Sequence, residues 1–169
     1  GLVQGFLALA AQGIPVLGIW GGFQMLGQEL YDPAGVELQG SLPGLGLLPC
    51  RTIFTERKTR TRALGIGLCE PFAGAALEGY EIHMGTTESH ASAPFCRFSD
   101  GREDGAVEGL VFGTYLHGLF DSPEALNRLA AWLGARKGIT IRQAVIEPRS
   151  AYRQKQYDIL ADAGRARPD

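Results

Sequence analysis

"GIPVLGIWGGFQMLG", Gly13–Gly27, is the stretch on which the reading of this chain turns. Ile14–Ile19 is a short, almost unbroken apolar run, the mark of a strand buried on both faces. Gly21-Gly22 then opens a helix, "FQMLGQEL", that is expected to end near Asp32-Pro33. Strand, sharp glycine turn and helix together have the shape of a nucleophile elbow, whose tip residue is strained and thrust up at the sheet edge. Gly18, Gly21 and Gly22 supply small neighbours for a backbone that folds back on itself. The amide of Gly21, at a helix N-terminus, is placed to hold an oxyanion. The tip itself is Trp20, whose indole offers an N–H donor and no usable nucleophile. A glycine-rich turn that merely packs would leave the same pattern, so the elbow needs support from elsewhere in the chain.

Outward from the elbow, Leu2–Gln12 reads as a helix with Leu2, Phe6, Leu7 and Ala10 on one face and Gly13 as its cap. Helix, strand, turn and helix in close succession predict an α/β fold with a parallel sheet. Past Pro33, "GLGLLP", "RTIFTE", "GYEIHMGTTE", "FCRFS" and "AVEGLVFGTYLHGLF" read as strands divided by turns. Helix returns at Ser122–Gly138, with Ser122 as N-cap, Pro123 at the first helical position and Leu126, Leu129, Ala130 and Leu133 as its apolar stripe. The tail reads as a polar amphipathic helix through Leu160 that frays after Gly164. With no repeat and no linker, residues 1–169 form a single domain. Because one helix alone precedes the central strand, that domain reads as the back part of a larger, N-terminally truncated one.

Composition excludes several classes. A net charge of −2 argues against nucleic acid or a membrane surface as partner, and the basic cluster Arg51–Arg62 reads as a solvated strand edge or loop. No apolar run approaches the roughly 18 residues that span a bilayer. Cys50, Cys69 and Cys96 lack the spacing of a metal or redox pair, so no metal site is expected and a reducing cytoplasm is.

Two distant features bear on the elbow. His117 lies where an apolar strand ends, in "FGTYLHGLFD", and a histidine suits proton transfer near neutrality; a structural histidine beside aromatics would look the same. In "GYEIHMGTTE", Glu81 and His83 fall on one face of a strand by period-2 alternation, either as an active-site face or as a solvated edge.

Taken together, "GIWGGFQMLG", "GLGLL", "GYEIHMGTTE", "GTYLHGLFD" and the tail "AYRQKQYDILAD" resemble the glutaminase domain of the cobyric acid synthases, over about Gly13–Asp162. That branch belongs to the class I (triad-type) glutamine amidotransferases. The resemblance implies a flavodoxin-like, three-layer class I amidotransferase fold. It also implies a mechanism. A cysteine at the elbow tip attacks the side-chain amide of glutamine, a histidine at the position of His117 activates it, and a thioester forms and is hydrolysed. The amide of Gly21 would be one oxyanion donor, and Gln24 and Gly22 would shape the glutamine pocket. The ammonia would pass to a synthetase domain of the same protein, which uses ATP and Mg²⁺ to amidate corrinoid carboxylates (adenosylcobyrinic acid a,c-diamide) in cobalamin biosynthesis. No cofactor is implied for this chain itself. The acidic partner that other class I members carry two residues after the histidine is replaced by Leu119, which leaves a Cys-His dyad.

The chain departs from the family pattern at its centre. The family elbow reads "GICGGYQMLG"; here Phe23 replaces tyrosine and Trp20 replaces the nucleophilic cysteine. None of the three cysteines lies in an elbow context, so the expectation is that the chain does not hydrolyse glutamine through a thioester. The bulky ring is expected to fill the glutamine pocket. A non-catalytic pseudo-glutaminase, serving interaction or regulation, is the alternative reading.

Overall fold

A computed structural model describes residues 1–37, 39–143, 147 and 149–165. In chain order they form α1 (Leu2–Ala11), β1 (Val16–Ile19), α2 (Gly21–Leu26), β2 (Glu29–Asp32), β3 (Gly40–Pro43), β4 (Cys50–Gly67), β5 (Ala76–Ser89), β6 (Cys96–Phe98), β7 (Glu103–Asp104), β8 (Ala106–Glu108), β9 (Val111–Thr114), β10 (Leu116–His117), a 3₁₀ turn (Leu119–Asp121), α3 (Pro123–Arg136) and α4 (Arg149–Arg165). The fold is mixed α/β, as the strand–turn–helix reading requires.

Two sheets carry it. The smaller has the order β1-β9-β8, with β1 parallel to β9 in the register Val16↔Val111 through Ile19↔Thr114. The larger runs β10-β5-β4-β2-β3, with β6 and β7 added beside β4. Its spine is the long antiparallel pair β4 and β5, and β2 joins β4 in parallel. The chain passes from one sheet to the other at Tyr115, between β9 and β10. Apolar packing follows this division. Phe72, Leu77, Phe95, Phe98, Phe112 and Leu116 form one buried cluster, against which Leu129 and Trp132 of α3 pack. Val16, Phe23, Leu26, Leu48 and Tyr115 form the other, around the elbow.

Several elements differ from their sequence expectation, each for a nonlocal reason. The helix after the elbow ends at Leu26, not near Asp32, and Glu29–Asp32 is a strand. Gly27 leaves the helix extended, and Gln28 N–H donates to the Cys50 carbonyl (2.7 Å), which draws the chain onto β4. "GLGLLP" is not a strand: the amides of Leu45, Leu47 and Leu48 donate to the carbonyls of Met25 and Leu26 and so cap α2. The strand lies just before it, at β3. Arg51–Arg62 is continuous strand rather than loop, and Arg51–Ile53 sit between β2 and β5, not at an edge.

The helix expected at Ser122–Gly138 is present as α3. Ser122 accepts from Ala125 N–H (3.3 Å) and Pro123 is in the first turn. Its inward face is Ala125, Leu129, Trp132 and Gly134, whereas Leu133 of the expected stripe is exposed. On α1, Leu7 and Ala10 are half-buried while Leu2 and Phe6 face outward. The described side chains of α4 from Ala151 onward are all exposed, so it shows no buried face. Of the fraying expected after Gly164, Arg165 is still helical and residues 166–169 lie outside the described residues.

Candidate active site

Trp20 stands between β1 and α2 at φ 56°, ψ −117°, a left-handed conformation that L side chains rarely adopt. Its N–H donates to the Thr114 carbonyl (2.9 Å), which ties the elbow to β9, and its carbonyl accepts from Gln24 N–H (3.1 Å), which starts α2. Among the elbow glycines, steric need falls on Gly18. A Cβ there would lie 2.6 Å from Leu26 Cδ1 and 2.7 Å from the Gly22 carbonyl, whereas Gly21 and Gly22 have open space. The elbow closes because α2 turns back directly over Gly18.

His117 ends β10, and its ring centroid lies 5.5 Å from that of Trp20. Its Nε2 is buried and has no hydrogen-bond partner among the described residues. Leaving such an atom unmet costs about 1–3 kcal/mol, the kind of expense associated with functional sites. β10 reaches this position because β5 carries Gly79 opposite it: a Cβ at Gly79 would fall 1.8 Å from the His117 carbonyl oxygen. Leu119, two residues on, is buried in the apolar cluster that α3 packs against.

A cavity of about 760 Å³ opens at the elbow, lined by Trp20, Gly21, Gln24, Met25, Ile82 and His83 among others. The indole does not fill it. It remains 48% exposed on the cavity wall. Gly22 is not a lining residue; its carbonyl packs on Gly18 instead.

His83 also lines a second, more polar cavity of about 530 Å³, together with Glu81, Thr87, Arg102, Asp104 and Tyr115. Glu81 and His83 do share a face, with His83 Nε2 3.0 Å from Glu81 Oε1. That face is not a solvated edge, since β5 lies between β4 and β10 and Glu81 is 5% exposed. The hydrogen bond from His83, and then those from Arg102 Nη1 (2.9 and 3.2 Å), hold the Glu81 carboxyl below the usual carboxylate range against the opposing effect of burial. His83 Nδ1 lies 2.9 Å from the Gly85 carbonyl oxygen.

Three residues around this centre gave no distinct sequence signal. Asp104, in the turn-like "SDGREDG", is buried and accepts from Thr114 Oγ1 (2.5 Å) and Tyr115 N–H (3.1 Å). Burial pushes its carboxyl up in spite of those bonds. Tyr115 stacks on His83 with centroids 4.0 Å apart, and burial pushes its phenol up. Arg102 closes the group through Glu81. Tyr115 lies two residues before His117, inside the motif "GTYLHGLFD", but its burial is set by the strand crossing and not by its neighbours in the chain. Among the described residues, no group of three or more His, Cys, Asp or Glu is placed to hold a metal, and no helix is long and apolar enough to cross a membrane.

Residues 1–125 match the family model of the CobB/CobQ-like glutamine amidotransferase domain. The chain is 43% identical over 167 residues to a cobyric acid synthase of Ruminiclostridium cellulolyticum, covering 91% of this chain and 32% of that protein. It is 43% identical over 180 residues to that of Citrobacter koseri, covering 99% and 35%, and 41% identical over 171 residues to that of Limosilactobacillus reuteri, covering 95% and 33%. The chain thus spans about a third of the length of the curated relatives it matches.

Proposed function

The chain belongs to the CobB/CobQ-like glutamine amidotransferase domain family, and from that premise we propose that it is the glutaminase portion of a cobyric acid synthase, with its nucleophile replaced by Trp20. The observation that supports this reading is the strained elbow at Trp20 with His117 beside it, whose buried Nε2 has no partner among the described residues. In a protein with cysteine at the tip, His117 would take the thiol proton. The sulfur would then attack the amide carbon of glutamine, the C–N bond would break, and the proton would leave with ammonia. Water would release glutamate from the thioester. Gly21 N–H would face the oxyanion, and Gln24 would bind the substrate in the elbow cavity.

Trp20 removes the first of these steps. Cys50, Cys69 and Cys96 offer no replacement. Burial raises all three thiols, that of Cys69 to about 11, so none is a thiolate near neutrality. The ammonia acceptor, the synthetase portion with its ATP, Mg²⁺ and corrinoid carboxylates, belongs to the remainder of a protein the length of the relatives, in the cytoplasm.

The test is Trp20→Cys, assayed for ammonia release from L-glutamine in this chain and in the chain joined to a synthetase portion. Glutamine-dependent amidation should appear with the variant and be absent from the unmodified protein, which should still accept free ammonia. If the unmodified protein releases ammonia from glutamine, Trp20 is not the nucleophile position. If the variant gains nothing in either form, the second reading holds, that of a non-catalytic interaction domain. The half-exposed indole on the cavity wall is the observation that favours it.

A further inference from the structure

We infer that Tyr115 is the positioning residue that sets the Gln24 amide in the elbow cavity and couples it to the strand bearing His117. The inference rests on reading that cavity as a glutamine site. Tyr115 is 5% exposed and occupies the single residue between β9 and β10, where the chain crosses between sheets. Its backbone cannot slide there. Its N–H donates to Asp104 Oδ2 (3.1 Å), Thr114 Oγ1 donates to the same oxygen (2.5 Å), and Leu116 N–H donates to Thr114 Oγ1 (3.0 Å). Its ring is held from two sides, stacked on His83 and edge-on to Phe23 (5.1 Å).

Beyond these contacts the hydroxyl reaches the elbow helix. Its oxygen lies 2.5 Å from Thr87 Oγ1, itself 2.8 Å from Thr52 Oγ1, and accepts from Gln24 Nε2 (3.2 Å). This chain of groups runs from β4 through β5 to α2. One side chain therefore links Gln24, four residues after Trp20, with the segment that ends in His117, two residues further on. Gln24 Nε2 gives one of its two N–H groups to Tyr115, which orients the amide and leaves Oε1, an acceptor, together with the second N–H. An amide so oriented can accept from an N–H donor and donate to a carbonyl oxygen, and the side-chain amide of glutamine provides both.

Tyr115→Phe removes the hydroxyl and keeps the ring packing on His83 and Phe23, which separates positioning from folding. In the full chain carrying Trp20→Cys, Tyr115→Phe should raise the KM for L-glutamine about five- to tenfold, the scale of one hydrogen bond, with kcat changed by less than about twofold. Gln24→Ala should do the same, and the double variant should be no worse than Gln24→Ala alone. Fully additive effects, or a fall in kcat at constant KM, overturn the inference. A second measurement does not depend on turnover. In the chain with Trp20 intact, Tyr115→Phe should shift the side-chain amide resonances of Gln24 and leave the backbone amides of α3 in place. If Trp20→Cys shows no glutaminase activity, the glutamine reading fails and these spectra decide the coupling; unmoved Gln24 resonances then overturn it.

Discussion

At the elbow tip a tryptophan holds a backbone conformation suited to glycine, and its ring gains little from burial in return. Strain of this kind costs about 1–3 kcal/mol. Trp20→Gly should therefore stabilise the chain by about 1 kcal/mol, read as a higher urea midpoint at unchanged slope; a lower midpoint would mean that the indole contact with His117 outweighs the strain. Thiol chemistry supplies a second test at this scale. With Cys50 and Cys96 buried and all three thiols raised by burial, the native chain should resist iodoacetamide at pH 7.5. Trp20→Cys should add a single fast-reacting thiol, counted by mass spectrometry. Equal reactivity of the native cysteines would contradict the burial that raises them.

Among the elements, the close pairing of β10 with β5 is what brings His117 to the elbow. Gly79 opposite the His117 carbonyl permits it. Gly79→Ala would force β10 away, at a cost of about 2–3 kcal/mol, and should abolish any glutaminase activity gained by Trp20→Cys; near-native thermal stability would show that β10 has another way to seat. This part of the site was half legible. The "GYEIHMG" motif pointed to a strand whose polar face matters, and Glu81 and His83 do meet there. That its first glycine serves the histidine strand could not be read, because the partner is 38 residues away along the chain and the contact is backbone to backbone. "GQEL" misled for a related reason. Phe23, Leu26 and Leu30 keep helical spacing, yet Glu29–Tyr31 pair with Arg51–Ile53, and a pairing of that range overrides local periodicity.

Across the whole molecule, two buried carboxyls give opposite pH signatures. Glu81 is held low by His83 and Arg102. Its contribution is therefore complete above its ordinary value of 4.5 and is lost as the pH falls through its lower folded value. Asp104 is raised by burial above 3.8, so its contribution is complete below that pH and is lost as the pH rises through its higher folded value. Thermal midpoints between pH 3 and 7 check both signs. Glu81→Gln should differ most from the native chain near neutrality and converge with it in acid. For Asp104→Asn, the loss of proton-linked destabilisation should make the comparison with the native chain more favourable as the pH rises. Parallel curves for either variant would contradict the assigned shift.

At the same scale, the sequence by itself determined the strand–turn–helix of the elbow with Trp20 at its tip, the α3 helix with its Ser122 cap, and the family. All of these rest on neighbours in the chain or on residue identity. Tertiary structure alone decided that Trp20 lines the cavity rather than filling it, and that His117 keeps a buried nitrogen with no partner among the described residues. It alone placed Asp104, Tyr115 and Gln24 in one hydrogen-bonded assembly. Those facts depend on which strands pair across two sheets, and pairing between distant segments is set by the packing of the whole chain rather than by any stretch of it.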